Sequence, residues 1–398
     1  MAVPRVPVRR SALLPAAVLC VLLTACAAGA GNRADGTSAS VTTTGPTSSQ
    51  AAPPSTEEQR VDAALAGLDR REQVAQLFVI GVRLDDLGSG DALVDAGVGG
   101  LFLAGRSQTP AEDLRAVTEG WQSAAPGPAL WVAVDQEGGA VQTLSGEGFE
   151  RLPTAQEQGR LPAGELTALA ADLGTSLDAA GINLDLAPVA DVVPAGTEAG
   201  NAPIGAYGRQ YGSTPEEVVA AAGTIVAGLA DAGVTATLKH FPGLGRVTGN
   251  TDDTAVVHDG VTTADDPQLA VFTTLADSPA APFVMASSAI YDRIDPSTQA
   301  MFSPVVLTDV LREQLGFDGV VISDDLGNAE AVSNVAVGDR AVRFLAAGGT
   351  LVLSLQPSDL EPMVEAVLAR ANADPEFAAV VDDAVRTALL AKARAGLL

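Results

Sequence analysis

The chain is poor in cysteine and histidine, the residues that build disulfide frameworks and most transition-metal sites. Its 398 residues include two cysteines, Cys20 and Cys26, and two histidines, His240 and His258. We expect Cys20 to be removed with a signal peptide, and the single cysteine that then remains excludes an intramolecular disulfide. The histidines do not form the HExxH pattern of zinc hydrolases, so the sequence indicates no metal site and implies no cofactor.

Basic residues and phosphate-binding patterns are also scarce. Lysine and arginine number 23 against 49 aspartates and glutamates, which gives a formal charge of −26. Such a surface repels nucleic acids and anionic lipids, so no nucleic-acid partner is expected. The chain has no GxxxxGK[ST] sequence, no GxGxxG after its first predicted strand and no GxSxG after any strand. These absences argue against phosphate-cradling loops and the common serine hydrolase site.

The first 26 residues have the features of a targeting segment. Three arginines within residues 1–10 precede the apolar stretch 12–23, which is too short for a membrane-spanning helix. The stretch ends in Leu23-Thr24-Ala25-Cys26, which resembles a bacterial lipobox. We therefore expect residues 1–25 to be a signal peptide and Cys26 to be lipidated. Lipidation would hold the protein on the extracytoplasmic face of the cell membrane; an ordinary secretory signal is the alternative.

The segment 26–56 consists mostly of alanine, glycine, serine, threonine and proline and shows no apolar period. Such a composition cannot bury a core, so we expect a flexible tether behind the lipidated cysteine. Residues 57–398 are long enough to form one α/β barrel or two smaller domains. We expect them to form a single folded domain.

Short apolar runs alternate with amphipathic stretches along the predicted domain. Eight runs have the composition of buried parallel strands: 76–82, 100–103, 130–134, 182–186, 236–238, 283–286, 320–323 and 350–355. Seven stretches have a helical pattern: 111–123, 165–180, 215–232, 304–315, 339–347, 361–370 and 377–395. Strands alternating with helices favour a parallel sheet. Eight repeats predict an α/β fold with a single (β/α)8 TIM barrel, and a doubly wound open sheet is the alternative.

Polar residues follow several of these strands at the point where each strand ends. Asp135 follows the third strand, Asp191 lies beyond the fourth, Lys239 and His240 end the fifth, and an aspartate pair beginning at Asp324 follows the seventh. In a (β/α)8 barrel the carboxyl ends of the strands face the active site. Neighbours on a strand point to opposite faces, so Lys239 and His240 point inward together only if the chain bends. Asp191 either binds ligand or braces the barrel.

Carboxylates therefore predominate among the candidate catalytic groups. Paired carboxylates suit acid/base and nucleophilic chemistry such as glycoside hydrolysis. The loop 246–257 after the fifth strand is polar, contains glycine and holds further acids. These features are expected of a mobile catalytic segment after a barrel strand.

Four motifs at strand ends occur in the order typical of one enzyme family. They are Asp135-Gln136-Glu137-Gly138-Gly139, Ala187-Pro188-Val189-Ala190-Asp191, Lys239-His240-Phe241-Pro242-Gly243 and Ile322-Ser323-Asp324-Asp325-Leu326. Over roughly residues 71–355 the chain resembles the single-domain, NagZ-like β-N-acetylglucosaminidases of glycoside hydrolase family 3. The lipobox and the alanine- and glycine-rich composition look like the actinobacterial lipoprotein branch of that family.

The resemblance implies a TIM barrel and a retaining mechanism. Asp324 matches the family nucleophile, which attacks the anomeric carbon and forms a glycosyl-enzyme. Asp135, Lys239 and His240 match residues that hold sugar hydroxyls. Arg209, within Gly208-Arg209-Gln210-Tyr211-Gly212, matches a family arginine at the sugar subsite.

The loop after the fifth strand departs from the family pattern. Family members typically carry an Asp-Ser-His triplet there, whose histidine is the general acid/base, whereas this chain has Asn250-Thr251-Asp252. We expect Asp252 to serve as a carboxylic acid/base, with Asp253 and His258 as rivals for that role. A general acid needs a raised pKa, which burial or a neighbouring carboxylate provides. A phosphorylase is disfavoured because another carboxylate repels phosphate.

Three interpretations of function follow from these residues. The first is a monomeric, membrane-anchored, exo-acting β-N-acetylglucosaminidase that removes terminal N-acetylglucosamine from muropeptides and related peptidoglycan fragments. The second is a β-glucosidase or another β-glycosidase on the same scaffold. The third is a carbohydrate-binding lipoprotein that has lost catalysis, against which an intact Asp324 argues, because a binding protein needs no nucleophile.

Overall fold

The computed structural model describes residues 55–398. The predicted signal peptide, the lipidation of Cys26 and all but the last two residues of the predicted tether lie outside the described residues. The first helix begins at Thr56, where the Ser55 hydroxyl accepts a hydrogen bond from the Glu58 N–H and the Glu58 carboxylate accepts one from the Ser55 N–H. This reciprocal capping explains why the helix begins there. No helix within 55–398 has both the length and the apolar character needed to cross a membrane.

Eight parallel strands form a closed barrel. The strands are β1 Phe78–Arg83, β2 Gly100–Ala104, β3 Trp131–Val134, β4 Leu184–Asp185, β5 Thr235–Phe241, β6 Phe283–Ala286, β7 Val321–Ser323 and β8 Val352–Ser354. Successive strands pair along the chain from β1 to β7, and β8 pairs with β1. A bridge between Ile322 and Leu351 joins β7 to β8. The predicted (β/α)8 barrel is therefore confirmed, and the open sheet is wrong.

Both faces of the barrel strands are buried, which accounts for their continuous apolar sequences. Trp131 at the start of β3 packs edge-on against Phe283 at the start of β6, with ring centroids 5.2 Å apart. Phe241 of β5 makes the same kind of contact, at 5.3 Å, with Phe272 of the helix Leu269–Ala276. Such edge-to-face aromatic pairs stabilise the packing beyond their buried area.

Helices surround the barrel. Each predicted helix matches an observed helix, and the ends of the two differ by at most three residues. The observed helices are Thr56–Gly67, Arg70–Ala75, Gly90–Asp95, Ala111–Ala124, Ala155–Gln158, Ala163–Ala179, Pro215–Asp231, Leu269–Ala276, the π-type helix Val305–Gln314, Val337–Ala346, Leu360–Ala373 and Pro375–Arg394. The helices without a counterpart in the sequence pattern are Thr56–Gly67 and four elements of four to eight residues. Those four are too short to show a helical period.

Residues outside the barrel strands shape its carboxyl-terminal end. After β3 the chain forms a small hairpin from Gln136–Gly138 and Val141–Gln142. The loops after β5 and β6 contribute His258–Asp259, Ile290–Tyr291 and Asp295–Gln299 to a three-stranded sheet. Residues 242–257, between β5 and that sheet, carry the predicted acid/base loop.

Candidate active site

A cavity of about 310 Å³ opens at the carboxyl-terminal ends of the barrel strands. Its polar lining residues are Asp135, Arg209, Lys239, His240, Asn250, Thr251, Asp252, Asp324, Asp325 and Asn328. The structure thus brings together all six residues predicted to act on or bind the substrate. A larger cavity of about 740 Å³ lies at the opposite end of the barrel, and none of the six lines it.

Asp324 directly follows β7 and is half-buried at the wall of the cavity. Its Oδ1 accepts a hydrogen bond from the Asp325 N–H at 2.9 Å. Burial raises the pKa of Asp324 to about 6, and the negative charge of Asp252 contributes in the same direction. Asp324 is therefore mostly ionised at neutral pH, as a carboxylate nucleophile must be.

Asp325 has a different environment from its neighbour. Its Oδ1 accepts hydrogen bonds from the N–H groups of Gly327 at 2.8 Å and Leu355 at 2.9 Å, and its Oδ2 accepts one from Asn328 at 3.1 Å. These bonds tie the end of β7 to the end of β8. Asp325 therefore shapes the turn that presents Asp324.

Asp252 reaches the cavity, whereas its two rivals do not line it. Asp253 accepts a hydrogen bond from the side-chain amide of Asn250 at 3.1 Å. His258 lies in the small three-stranded sheet, where its Nδ1 is 2.7 Å from Asp292 Oδ1. Of the three acid/base candidates, the geometry favours Asp252.

Four charged side chains form a connected network beside the cavity. Lys239 Nζ lies 2.6 Å from Asp135 Oδ1 and 2.7 Å from Glu137 Oε1. Arg209 holds both oxygens of Glu137, with Nε at 2.9 Å and Nη2 at 2.7 Å. Two cations and two anions balance one another there, which makes their burial tolerable.

The network fixes the protonation of Glu137 and Lys239. Burial opposes ionisation of Glu137, but Arg209 and Lys239 lower the pKa of its carboxyl to about 2. Burial also opposes the charge on Lys239, yet Asp135 and Glu137 raise the pKa of its ammonium. Beneath them, burial raises the pKa of Asp185 to about 8. The cavity therefore presents fixed cationic donors, which suit the oxygen atoms of a sugar.

Lys239 and His240 both line the cavity, although they are neighbours on β5. The pairing of β5 with β6 is irregular between Leu238 and Phe241, so the side chains do not alternate regularly there. His240 Nδ1 lies 2.8 Å from Asp191 Oδ2. Chain bending, left open by the sequence, thus allows both side chains to face inward.

Asp191 braces the barrel mouth. It is fully buried and does not line the cavity. Its Oδ2 orients the His240 ring, and its Oδ1 accepts hydrogen bonds from the backbone N–H groups of His240 at 3.1 Å and Leu244 at 2.7 Å. Of the two readings that the sequence left open, the structure favours the bracing one.

Arg209 comes from the loop after β4, and a short turn aims it inward. The turn Gly205–Tyr207 ends at Gly208, whose φ of 63° is a conformation that favours glycine. The Arg209 N–H then donates to the Ile204 carbonyl at 3.1 Å. This local backbone sets the direction of the guanidinium.

Glu137 is the residue that the sequence interpretation missed. It is 4% exposed and does not line the cavity, yet it contacts both cationic site residues. A usable signal was present, because Glu137 lies two positions after Asp135 on extended chain and such residues share a face. Within residues 55–398, no group of three or more histidine, cysteine, aspartate or glutamate side chains is arranged to hold a metal ion.

Comparison with known proteins is consistent with this geometry. The family model "Glycosyl hydrolase family 3 N terminal domain" matches residues 70–389. The chain belongs to glycosyl hydrolase family 3. This family 3 protein is accordingly a glycoside hydrolase with a TIM-barrel catalytic domain.

Individual proteins similar to this family 3 enzyme are β-hexosaminidases or a β-N-acetylhexosaminidase by name. A solved structure, the β-N-acetylhexosaminidase from Beutenbergia cavernae, has a TM-score of 0.79 and 46% identity and covers 82% of this chain and 98% of that one. The β-hexosaminidase of Stenotrophomonas maltophilia is 34% identical over 70% of this chain and 83% of its own. That of Alkalilimnicola ehrlichii is 37% identical over 67% of this chain and 76% of its own.

Proposed function

We propose that this family 3 enzyme is an exo-acting, retaining β-N-acetylglucosaminidase that releases terminal N-acetylglucosamine from peptidoglycan fragments. The names of its relatives support the sugar, since they are called β-hexosaminidases or a β-N-acetylhexosaminidase. The cavity of about 310 Å³ is at the small end of the range for ligand pockets. A pocket of that size suits one terminal sugar ring rather than an internal stretch of a glycan.

The observation that carries the proposal is the meeting of Asp324 and Asp252 at one cavity. They come from loops after different strands, β7 and β5, and both line the same space. They are close enough for the charge of Asp252 to raise the pKa of Asp324. Two carboxylates flanking one site are the machinery of glycoside hydrolysis.

The reaction proceeds in two balanced steps. In the first, an oxygen of Asp324 forms a bond to the anomeric carbon while the bond from that carbon to the leaving oxygen breaks. In the reactive form Asp252 carries a proton, which it gives to that oxygen, and the departing product leaves a glycosyl ester on Asp324. In the second, Asp252 takes a proton from water, the water oxygen bonds to the anomeric carbon, and the ester bond breaks. Each step inverts the configuration at the anomeric carbon, so the two steps together retain it.

The charged network binds the sugar during both steps. Asp135 has a side chain 30% exposed, so it remains available to accept from a sugar hydroxyl while it holds Lys239. Lys239 and Arg209 provide donors whose charges do not change across the working pH range. Because these contacts exist before and during reaction, they contribute mainly to substrate binding.

The decisive assay measures release of 4-nitrophenol from the β-N-acetylglucosaminide and the β-glucoside by the wild type and Asp324→Asn. We expect turnover of the first substrate and its loss in the variant, because an amide cannot serve as the carboxylate nucleophile. Preferential turnover of the β-glucoside would instead identify a β-glucosidase. Activity retained in Asp324→Asn would overturn the nucleophile assignment.

The acid/base assignment is tested by Asp252→Ala, beside Asp253→Asn and His258→Gln as matched controls. We expect the first variant to slow aryl glycoside cleavage about 10²- to 10⁴-fold, the usual contribution of general acid–base catalysis. The controls should stay near wild type, since neither residue lines the cavity. An unchanged rate in Asp252→Ala, or a comparable loss in either control, would refute the assignment.

We further propose that the enzyme works as a monomer held at the extracytoplasmic face of the membrane by lipid on Cys26. The lipobox-like sequence that ends at this cysteine supports the proposal. Mass spectrometry of membrane-extracted protein should find a lipidated N-terminal cysteine, and Cys26→Ala should release the protein from membranes. An unmodified Cys26 would contradict the anchor.

A further inference from the structure

We propose that the loop following the nucleophile strand also positions the acid/base. The positioning groups are the backbone N–H groups of Glu330 and Ala331, which hold the main chain at Asp252. The inference rests on the proposed role of Asp252 as acid/base. The loop that follows Asp324 would thus also fix the position of Asp252.

Two backbone hydrogen bonds join the loops. The Glu330 N–H donates to the Asp252 carbonyl at 3.1 Å, and the Ala331 N–H donates to the Thr251 carbonyl at 3.2 Å. Thr251 and Ala331 are 2% and 1% exposed, so the second bond joins two buried residues, whereas the first joins the exposed residues Glu330 and Asp252. Water does not compete for a buried backbone bond, which makes the second bond the firmer of the two.

The position of Asp252 depends on these backbone bonds. Within the described part of the chain, Asp252 makes its hydrogen bonds through its N–H, which donates to Asn250 Oδ1 at 3.3 Å, and its carbonyl. Its carboxylate makes none there and lies at the cavity. The main chain therefore sets where the carboxylate stands, while the carboxylate remains available to a leaving oxygen.

The loop that provides the two N–H groups is itself fixed to the end of β7. Arg340 is 7% exposed and donates to the carbonyl groups of Leu326 at 2.6 Å, Gly327 at 3.2 Å and Val335 at 2.8 Å. Leu326 is two residues after the nucleophile. One guanidinium thus joins the chain beside Asp324 to the segment that carries the two donors.

A second contact fixes the same segment to the three-stranded sheet. The side-chain amide of Gln299, in the three-stranded sheet, donates to the Ala331 carbonyl. Ala331 thus donates to the acid/base loop while it accepts from the sheet. The nucleophile and the acid/base are consequently mounted on one hydrogen-bonded unit, so that displacement of this segment moves Asp252 relative to Asp324.

The chain offers a clean way to remove one of these donors. Glu330 is the first residue of the short 3₁₀ helix Glu330–Val332, and Ala329 before it has φ −59° and ψ 129°. Proline is tolerated at the first position of a helix, and the residue before a proline prefers extended backbone. Glu330→Pro therefore deletes the N–H and leaves the helix start intact, and its ring Cδ takes the place of the hydrogen, so the Asp252 carbonyl must also move away. Glu330→Ala is the matched control, because it removes the side chain and keeps the N–H.

The test compares kcat/KM for a β-N-acetylglucosaminide with a poor leaving group, phenol, and one with a good leaving group, 2,4-dinitrophenol. Loss of acid catalysis slows the first far more than the second, because dinitrophenolate leaves without a proton. We expect Glu330→Pro to lower kcat/KM for the phenyl substrate about tenfold, the equivalent of one hydrogen bond. For the dinitrophenyl substrate, kcat/KM should change less than about twofold. Glu330→Ala should match the wild type on both.

Two results would overturn the inference. If Glu330→Pro and Glu330→Ala have the same kcat/KM on both substrates, the hydrogen bond from the Glu330 N–H does not position Asp252. Equal losses on both substrates would indicate a general structural effect. Asp252→Asn is measured in the same series: if it shows no dependence on the leaving group, the acid/base assignment itself fails, whereas dependence in Asp252→Asn but not in Glu330→Pro rejects the positioning role alone.

Discussion

At the scale of single residues, two adjacent aspartates differ because of what surrounds them. Asp325 accepts three backbone N–H groups and is a part of the turn. Asp324 accepts one, faces the cavity and has a pKa raised to about 6 by burial and by Asp252. Burial and like charge both oppose the ionisation of a carboxylate such as Asp324. Environment thus separates a bracing acid from a reactive one.

The raised pKa of Asp324 predicts the acid limb of the pH profile. Because the proposed nucleophile must be ionised, kcat/KM should fall as the pH drops below about 6. In Asp252→Asn the neighbouring negative charge is gone, so the pKa of Asp324 falls and the limb moves to lower pH. The residual activity is measured with the dinitrophenyl substrate from pH 4 to 8. A limb that does not move would mean that the two carboxylates do not interact.

Glu137→Gln tests the network that orients the cations. The neutral amide removes the anion paired with Arg209 and one of the two paired with Lys239, so both cations lose their fixed positions. We expect KM to rise at least about tenfold, equivalent to about 1.4 kcal/mol, with a smaller change in kcat because the contacts bind substrate in both states. Glu365→Gln, which alters an exposed pair with Arg71, is the control and should change neither. A fall in kcat alone would contradict this role.

At the scale of elements, the barrel strands hold the site and the loops after them decide its chemistry. β5 carries Lys239 and His240, while the loop after β5 carries Asp252. β7 ends before Asp324, and its loop holds the acid/base loop in turn. Rigid strands therefore position the predicted binding groups, and the two loops must stay in contact for the proposed nucleophile and acid/base to meet.

Gly245→Ala should disturb the acid/base loop selectively. A Cβ at Gly245 would lie 1.9 Å from the Val192 carbonyl oxygen, so the backbone must move. A displacement of about 1 Å at a catalytic group costs up to about 100-fold in rate, and we expect kcat to fall at least tenfold on that basis. Gly260→Ala is the control, because its Cβ would come no closer than 3.6 Å to Asp292 Oδ2.

Thermal unfolding of both glycine variants accompanies the assay, so that a folding defect is recognised. A loss of activity in Gly245→Ala with an unfolding temperature close to that of Gly260→Ala would support the loop displacement. Wild-type activity in Gly245→Ala would refute it.

At the scale of the whole molecule, both lysines of the chain are buried, one at each end of the barrel. Lys239 stands at the active site with two carboxylate partners. Lys392, on the last helix, donates to Gln76 Oε1 at 2.7 Å just before β1. Gln76 in turn donates to the Gly97 carbonyl at 2.9 Å. Lys392 thus fastens the carboxyl-terminal helix to the base of the barrel.

Lys392 should make stability depend on pH. Burial lowers its pKa from 10.5 to about 7, so between these values the unfolded chain binds more protons than the folded one. The free energy of unfolding therefore gains up to about 1.4 kcal/mol per pH unit from this group as the pH rises above 7. Lys392→Met should lack this contribution. Urea denaturation at pH 7 and 9 compares the two, and an identical pH dependence would contradict the prediction.

Local sequence determined the elements of this protein. The apolar runs and helical patterns predicted all eight strands and seven of the helices, because burial on both faces and a helical period are properties of short segments. The strand-end motifs also placed Asp135, Lys239, His240 and Asp324 at one end of the barrel, since parallel strands present their carboxyl ends together. Their roles in catalysis and binding stay predictions until the assays are done.

Tertiary structure alone decided which side chains line the cavity. The sequence placed Asp252 first and left Asp253 and His258 as rivals, and of these three only Asp252 lines the cavity. It likewise left open that Asp191 would brace His240 and did not reveal that Glu137 would join Arg209 to Lys239. The physical reason is common to these cases. The direction of a loop side chain depends on hydrogen bonds and charges from segments distant in the chain, and these partners exist only once the barrel has closed.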